Sequence, residues 1–241
     1  MSLLGISNLS KSFGGVAAAS DISFELQSSS INGLIGPNGA GKTTLFNLIS
    51  GVYSPDRGKI FFHGENITGV RGDAICKLGI TRTFQIVKPF AKLSVLENVL
   101  VGAYNRQNTK RRAVVVAMEA IELIGLKDKV SVIAGNLTLA QRKRLELARA
   151  LATKPSLLLL DEVMAGLTPT ESEEMMEIIL GINRSGITLF VIEHVMKALM
   201  TISERIIVLN YGAKIADGPP SEIAADPGVI EAYLGEEHGV S

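Results

Sequence analysis

Ile31-Asn32-Gly33-Leu34-Ile35-Gly36-Pro37-Asn38-Gly39-Ala40-Gly41-Lys42-Thr43-Thr44 is the stretch on which the rest of this chain is read. A short apolar run predicts a buried strand over 31–35, a glycine-rich turn follows, and 44–50 reads as a helix. Gly36 to Thr43 fits G-x-x-x-x-G-K-[ST]. Glycines let backbone N–H groups turn inward around phosphate oxygens, and the following helix N-terminus adds its positive end. In this pattern Asn38, Gly39, Ala40 and Gly41 form the cradle, with Thr44 behind it. Lys42 reaches the β- and γ-phosphates, and the Thr43 hydroxyl is placed to ligate Mg²⁺. The expected ligands are ATP and Mg²⁺.

A second element lies far along the chain. Leu157-Leu158-Leu159-Leu160 predicts a fully buried parallel strand, and Asp161-Glu162 follows it directly. Carboxylates there fall at the C-terminal edge of a sheet, where ligands bind in open α/β folds. Asp161 is the candidate to hold the Mg²⁺ shell, and Glu162 the candidate to polarise an attacking water. Around these two anchors the chain alternates. Strands are expected over 3–9, 22–26, 58–62, 80–84 and 187–192, with a hairpin over 206–216 turning at Tyr211-Gly212. From 94 to 153 helical periodicity replaces strand signals. Ser94 with Glu97 reads as a capping box. Residues 137–151 read as an amphipathic helix, with Arg142, Lys143, Arg144 and Arg149 on its polar faces. The fold class expected is α/β. An ATP-binding core comprises 1–86 and 154–241, and a helical insertion comprises 87–153.

Composition narrows the function. Lys+Arg and Asp+Glu both total 24 in 241 residues, so no net basic field is available to hold nucleic acid, and none is expected as a partner. The single cysteine, Cys76, excludes an internal disulfide framework and reads as an inert helix residue. The first twelve residues lack a basic segment followed by an apolar one, and no stretch approaches the ~18 apolar residues of a membrane span. The expectation is a cytoplasmic protein with neither signal peptide nor transmembrane segment, reaching a membrane only through a partner.

Taken in order, these and further motifs resemble the nucleotide-binding subunit of ABC transporters over essentially the whole chain. Gly36 to Thr44 looks like that family's phosphate loop, and Thr83-Phe84-Gln85 falls where its Q-loop opens the helical lobe. Leu137-Thr138-Leu139-Ala140-Gln141 resembles its signature, Ala165-Gly166-Leu167-Thr168-Pro169 its D-loop, and Glu193-His194 its switch histidine. Phe13 sits where the family places an aromatic against adenine. The resemblance implies a P-loop NTPase core with an N-terminal antiparallel β subdomain and an inserted helical subdomain. It also implies an ATPase in which Thr138, Leu139, Ala140 and Gln141 face the nucleotide of a second subunit. Each residue has a physical reading as well. The Gln85 carbonyl can ligate Mg²⁺ or the attacking water. The His194 imidazole, after a strand, can bond the γ-phosphate and orient Glu162. An aromatic at Phe13 can stack on a base or fill a core. His63 and His238 read as surface residues.

Three departures stand out. The family signature usually reads Leu-Ser-Gly-Gly-Gln; here Thr138 keeps a hydroxyl, while Leu139 adds bulk where backbone and phosphate approach closely. Val163 replaces a proline, and Thr168 an asparagine or aspartate. Within the family, Arg82-Thr83-Phe84-Gln85, the 93–99 segment and the tail Asp226-Pro227-Gly228-Val229-Ile230-Glu231-Ala232-Tyr233 are similar to ATPases of branched-chain amino-acid importers. Such importers imply a second ATPase subunit (paralogue or self), permease subunits and, indirectly, an extracytoplasmic solute-binding protein. The site would then be the cytoplasmic face of the inner membrane. A lipopolysaccharide-transport ATPase has a similar tail but normally keeps two signature glycines. A non-transport ABC ATPase would bring paired units, long coiled coils or a basic surface. A small-molecule P-loop kinase would leave the signature helix and His194 unexplained.

Overall fold

Twelve-residue strands open the chain. The computed structural model, which describes residues 2–83 and 88–237, pairs β1 (Ser2–Phe13) with β2 (Val16–Gln27) in an antiparallel hairpin. Both strands run well past the expected 3–9 and 22–26. Register shifts break the apolar alternation there, and Asn8 and Asp21 take left-handed φ of 49° and 54°. Their polar groups satisfy one another: Asn8 Nδ2 donates to Asp21 Oδ1 at 2.7 Å. Bulges of this kind hide a strand from a period-two reading.

β3 (Ile31–Ile35) is buried throughout and runs through the glycine turn into α1 (Lys42–Ile49). β4 (Arg57–Phe62) and β5 (Glu65–Asn66) then complete a four-stranded antiparallel sheet of order β2-β1-β4-β5. α2 (Gly72–Leu78) holds Cys76, whose half-buried thiol lies beside Thr81, and leads into β6 (Ile80–Arg82).

Helices then take over, as expected. α3 (Val95–Ala103) starts at the anticipated capping box: Ser94 and Glu97 exchange both hydrogen bonds. α4 (Lys110–Leu123) follows, then two 3₁₀ turns, then α5 (Leu139–Leu151), capped by Thr138 and Gln141 in the same reciprocal way. Arg142, Arg144 and Arg149 are partly exposed, but Lys143 is not on a polar face; it is buried. It falls on the inward stripe Ala140, Lys143, Leu147, Leu151, one residue per helical turn.

β7 (Leu157–Asp161), α6 (Pro169–Arg184), β8 (Thr188–Ile192), α7 (Met196–Ile202), the hairpin β9 (Arg205–Asn210) and β10 (Ala213–Gly218), α8 (Pro220–Ile223) and α9 (Pro227–Glu237) finish the chain. The second sheet has the order β10-β9-β3-β8-β7-β6, parallel except for the β9–β10 hairpin. Its inner strands β3, β7 and β8 are buried on both faces, which explains their apolar runs. Leu158, Leu160, Leu189 and Val191 join a core shared with α3, α4, α5 and α6, while Leu157, Leu159, Phe190 and Ile192 join the core under α1 and the antiparallel sheet. The apolar packing of the 94–153 helices is thus continuous with one face of the central sheet. Because β3, β6, β7 and β8 run parallel, residues 36–44, 83, 161–162 and 193–194 all emerge at one edge.

Candidate nucleotide site

The glycine-rich loop at 36–43 owes its shape to two glycines in particular. Gly36 has φ 149° and Gly41 φ 99°, and a β-carbon would lie 2.1 Å from the Leu209 carbonyl oxygen at the first and 2.2 Å from that of Ala18 at the second. Neighbouring strands press on both positions, so no side chain fits. Asn38 and Gly39 are exposed, and Ala40 is buried. α1 opens without a side-chain cap and without an acidic residue in its first turn, so its N–H groups face the loop as an anion site. Lys42 is 8% exposed, and its ammonium donates to the carbonyls of Gly36 at 2.5 Å and Pro37 at 2.8 Å. Weak carbonyl acceptors hold it where phosphate oxygens would be stronger ones. Thr43 is exposed at the start of α1 and Thr44 is half-buried. The Gly36 N–H donates to the Tyr233 hydroxyl at 2.8 Å, so the tail helix braces the loop.

Phe13 ends β1, at the hairpin tip. It is 41% exposed and packs edge-on against Tyr53, with ring centroids 5.1 Å apart. The Lys11 ammonium lies over its ring, 5.5 Å from the centroid.

The carboxylate pair ends β7. Asp161 is 2% exposed, its N–H donates to Thr83 Oγ1 at 3.1 Å, and its Oδ2 pairs with the Arg82 guanidinium at 2.5 Å. Arg82 also donates to Asn47 Oδ1 on α1, tying the loop's helix to β7. Glu162 has a left-handed φ of 52°, unusual for a residue with a β-carbon and characteristic of sites that need a side chain aimed. Its N–H donates to the Ile192 carbonyl at 2.9 Å, and its carbonyl accepts from Lys143 Nζ at 2.9 Å. Its Oε1 lies 2.7 Å from Nε2 of His194, which is exposed at the end of β8. Beside them Glu193 is 2% exposed; burial pushes its carboxyl up to about 7, against the Met164 N–H it accepts and the charge of Lys143.

A hard divalent cation fits this edge. The buried Asp161 carboxylate and the exposed Thr43 hydroxyl are oxygen donors of the kind Mg²⁺ takes. Among the described residues no group of three or more His, Cys, Asp or Glu could hold a metal without help, so such an ion would bind together with phosphates. Gln85 and Phe84 lie outside the described residues, as does His238; His63 is exposed.

Thr138, Leu139, Ala140 and Gln141 are placed apart, at the start of α5. Thr138 Oγ1 accepts from the Gln141 N–H, and Gln141 Oε1 accepts from the Thr138 N–H. Leu139 is 47% exposed, with its side chain against Gly166 of the 165–169 segment. In that segment Thr168 caps α6 through a box with Glu171.

The ABC transporter family matches residues 19–165. The chain belongs to that family. A second family, the branched-chain amino acid ATP-binding cassette transporters, matches residues 213–239 of this ABC ATPase. The high-affinity branched-chain amino acid transport ATP-binding protein LivG of Salmonella typhimurium is 41% identical over 97% of this chain and 98% of its own length. BraF of Pseudomonas aeruginosa, of the same description, is 38% identical over the same shares. A solved nucleotide-free ATP-binding cassette from an ABC transporter superposes with a TM-score of 0.89 at 30% identity, covering 97% of this chain and 99% of that one. No helix of the described residues in this ABC ATPase is long and apolar enough to cross a membrane.

Several residues of this edge are given no role at the site by the sequence alone. Arg82 had a signal: a charge in a predicted apolar strand needs a buried counter-ion. Lys143 had one too, since it shares a stripe with Ala140 and Leu147. Tyr53 and Tyr233 had none, because their partners Phe13 and Gly36 lie 40 and 197 residues away and local periodicity does not report them.

Proposed function

We propose that this ABC ATPase binds Mg·ATP on the 36–44 loop and hydrolyses it with Glu162 and His194, powering an importer of branched-chain or other hydrophobic amino acids. The observation that carries the catalytic reading is the 2.7 Å contact between Glu162 Oε1 and His194 Nε2, beside a buried Asp161 and a pre-folded Lys42. On binding, Lys42 would exchange the Gly36 and Pro37 carbonyls for β- and γ-phosphate oxygens, while Asn38, Gly39, Ala40, Gly41 and Thr44 complete the cradle. Phe13, braced by Tyr53, would stack on adenine. Thr43, Asp161 and Gln85 are the residues to hold Mg²⁺, whose charge offsets that of the β- and γ-phosphates. Glu162 would orient the attacking water and draw off its proton. The bond from the γ-phosphorus to the bridging oxygen breaks, and ADP and phosphate leave. His194 would hold the Glu162 carboxylate in line and bond the γ-phosphate. Positioning and charge stabilisation do most of the work.

Thr138, Leu139, Ala140 and Gln141 would complete the site of a second ATPase subunit, a paralogue or another copy. The matched tail family supports an amino-acid importer over a lipopolysaccharide-type ATPase. It also supports permease subunits as partners, a solute-binding protein as an indirect one, and a peripheral position on the cytoplasmic face of the inner membrane. The division into a core (1–86 and 154–241) and a helical subdomain (87–153) belongs to the same reading.

Glu162→Gln tests it. ATP binding is expected to persist while phosphate release falls about 100-fold or more. Unimpaired hydrolysis by that variant would remove Glu162 from the mechanism.

A further inference from the structure

Lys143 is a lysine where the helix pattern calls for an apolar residue. It is 5% exposed, on the stripe of α5 that packs inward. Burying an ammonium is costly unless it is both hydrogen-bonded and neutralised. Here its Nζ donates to the Glu162 carbonyl at 2.9 Å, and the carboxylates of Glu193, Glu146 and Glu162 surround it with negative charge.

The contact lands on a backbone that needs holding. Left-handed φ is strained for a residue with a β-carbon, and Glu162 keeps it at 52°. Three groups from other elements hold the segment, whose Glu162 carbonyl also accepts from the Ala165 N–H at 3.3 Å: the Ile192 carbonyl takes the Glu162 N–H, Glu193 Oε1 takes the Met164 N–H, and Lys143 donates to the Glu162 carbonyl. Two of these groups come from β8 and the residue after it. The third comes from α5, whose first residues are the capped turn of Thr138 and Gln141. From Gln141 to Lys143 is about 3 Å of helix rise. A small displacement of that turn therefore reaches the peptide that aims the Glu162 side chain.

We infer that Lys143 is a positioning residue, joining the partner-facing start of α5 to the Glu162 main chain so that engagement of one ATP site sets the carboxylate of the other. The inference rests on the role given above to Glu162 and to the second subunit.

The test uses the full chain with its partner subunits. Lys143→Met keeps the volume and removes the donor; Lys143→Arg restores a charged one. In Lys143→Met, kcat is expected to fall about 10- to 100-fold, as for a small misplacement of a reacting group. ATP affinity should stay within about threefold and Tm within a few degrees, with most of kcat returning in Lys143→Arg. Should the methionine variant not fold, Lys143→Gln carries the same expectations. A double-mutant cycle with Thr138→Ala then probes the link: coupled effects on kcat support it, and strictly multiplicative effects overturn it. Wild-type kcat in Lys143→Met, or parallel loss of affinity and turnover in the Met and Arg variants alike, also overturns it. Glu162→Gln run alongside separates the two failures. If that variant is inactive while Lys143→Met is unimpaired, only the inference fails; if Glu162→Gln is fully active, the reading beneath it fails.

Discussion

At the sheet edge, Lys42 sits between two loop carbonyls and Glu162 is gripped at its N–H, its carbonyl and its carboxylate. At the start of α5, Thr138 and Gln141 hold each other, and Leu139 projects 47% exposed. The first region is over-determined by tertiary contacts from β8, β9, α5 and the tail helix. The second is a local turn whose stability comes from its cap. That difference bears on one of the departures from the family pattern, the one in the signature. The cap needs a hydroxyl at 138 and an amide or acid at 141, and both are present. It makes no demand on 139, so Leu139 stands there at no cost to the cap, while Ala140 is buried on the inward stripe. Any cost falls on what the turn must approach.

The comparison can be broken at its strong end first. Lys42→Met should lower ATP affinity by about 2 kcal/mol or more, the loss expected when a charged hydrogen-bond donor is truncated, which is roughly 30-fold. The buried stem is matched by methionine, so Tm should stay nearly constant; nucleotide titration with a melting curve reads both. Unchanged affinity would mean that the loop does not use the ammonium it holds.

Leu139→Gly sharpens the other end. It costs helix propensity of about 1 kcal/mol at the first turn of α5, yet it opens the close approach that the usual signature glycine provides. ATP-driven dimerisation, measured by light scattering, should strengthen several-fold while Tm drops slightly. If association stays the same, Leu139 is no obstacle and the two regions are better matched than their construction implies.

The smallest effect concerns the seam between them. Burial raises Glu193 from an ordinary 4.5 to about 7, so the folded chain keeps that proton to higher pH than the unfolded one. The stability it contributes is complete below about 4.5 and is lost as pH rises through 7. Glu193→Gln mimics the protonated form, so its Tm advantage over the wild type should be larger near pH 8 than near pH 6. The difference should be on the order of 1 kcal/mol, since one unit of pKa is worth 1.36 kcal/mol and Lys143 offsets part of the penalty. An equal advantage at both values would show that Glu193 stays ionised throughout.

Much of the architecture was legible along the chain. β3 matches the expected 31–35 because both of its faces are buried and glycine marks its end. The Ser94–Glu97 box and the four-leucine strand before Asp161 were legible for similar reasons: each is a local signal with a strict period or spacing. The β1–β2 hairpin was read too short, since its bulges carry polar residues where alternation requires apolar ones. Lys143 reads as a polar-face residue along the sequence because charge alone suggests solvent.

By itself, then, the sequence determined the glycine-rich loop at 36–43, the acidic pair after β7, the histidine after β8 and the family, because each motif is written in residues within a few positions of one another. Only the tertiary structure decided what surrounds them. Arg82 on Asp161, Tyr233 on Gly36, Tyr53 on Phe13 and Lys143 on the Glu162 carbonyl are contacts between elements 19 to 197 residues apart. Their partners are chosen by sheet order and helix packing, and no local period encodes that choice.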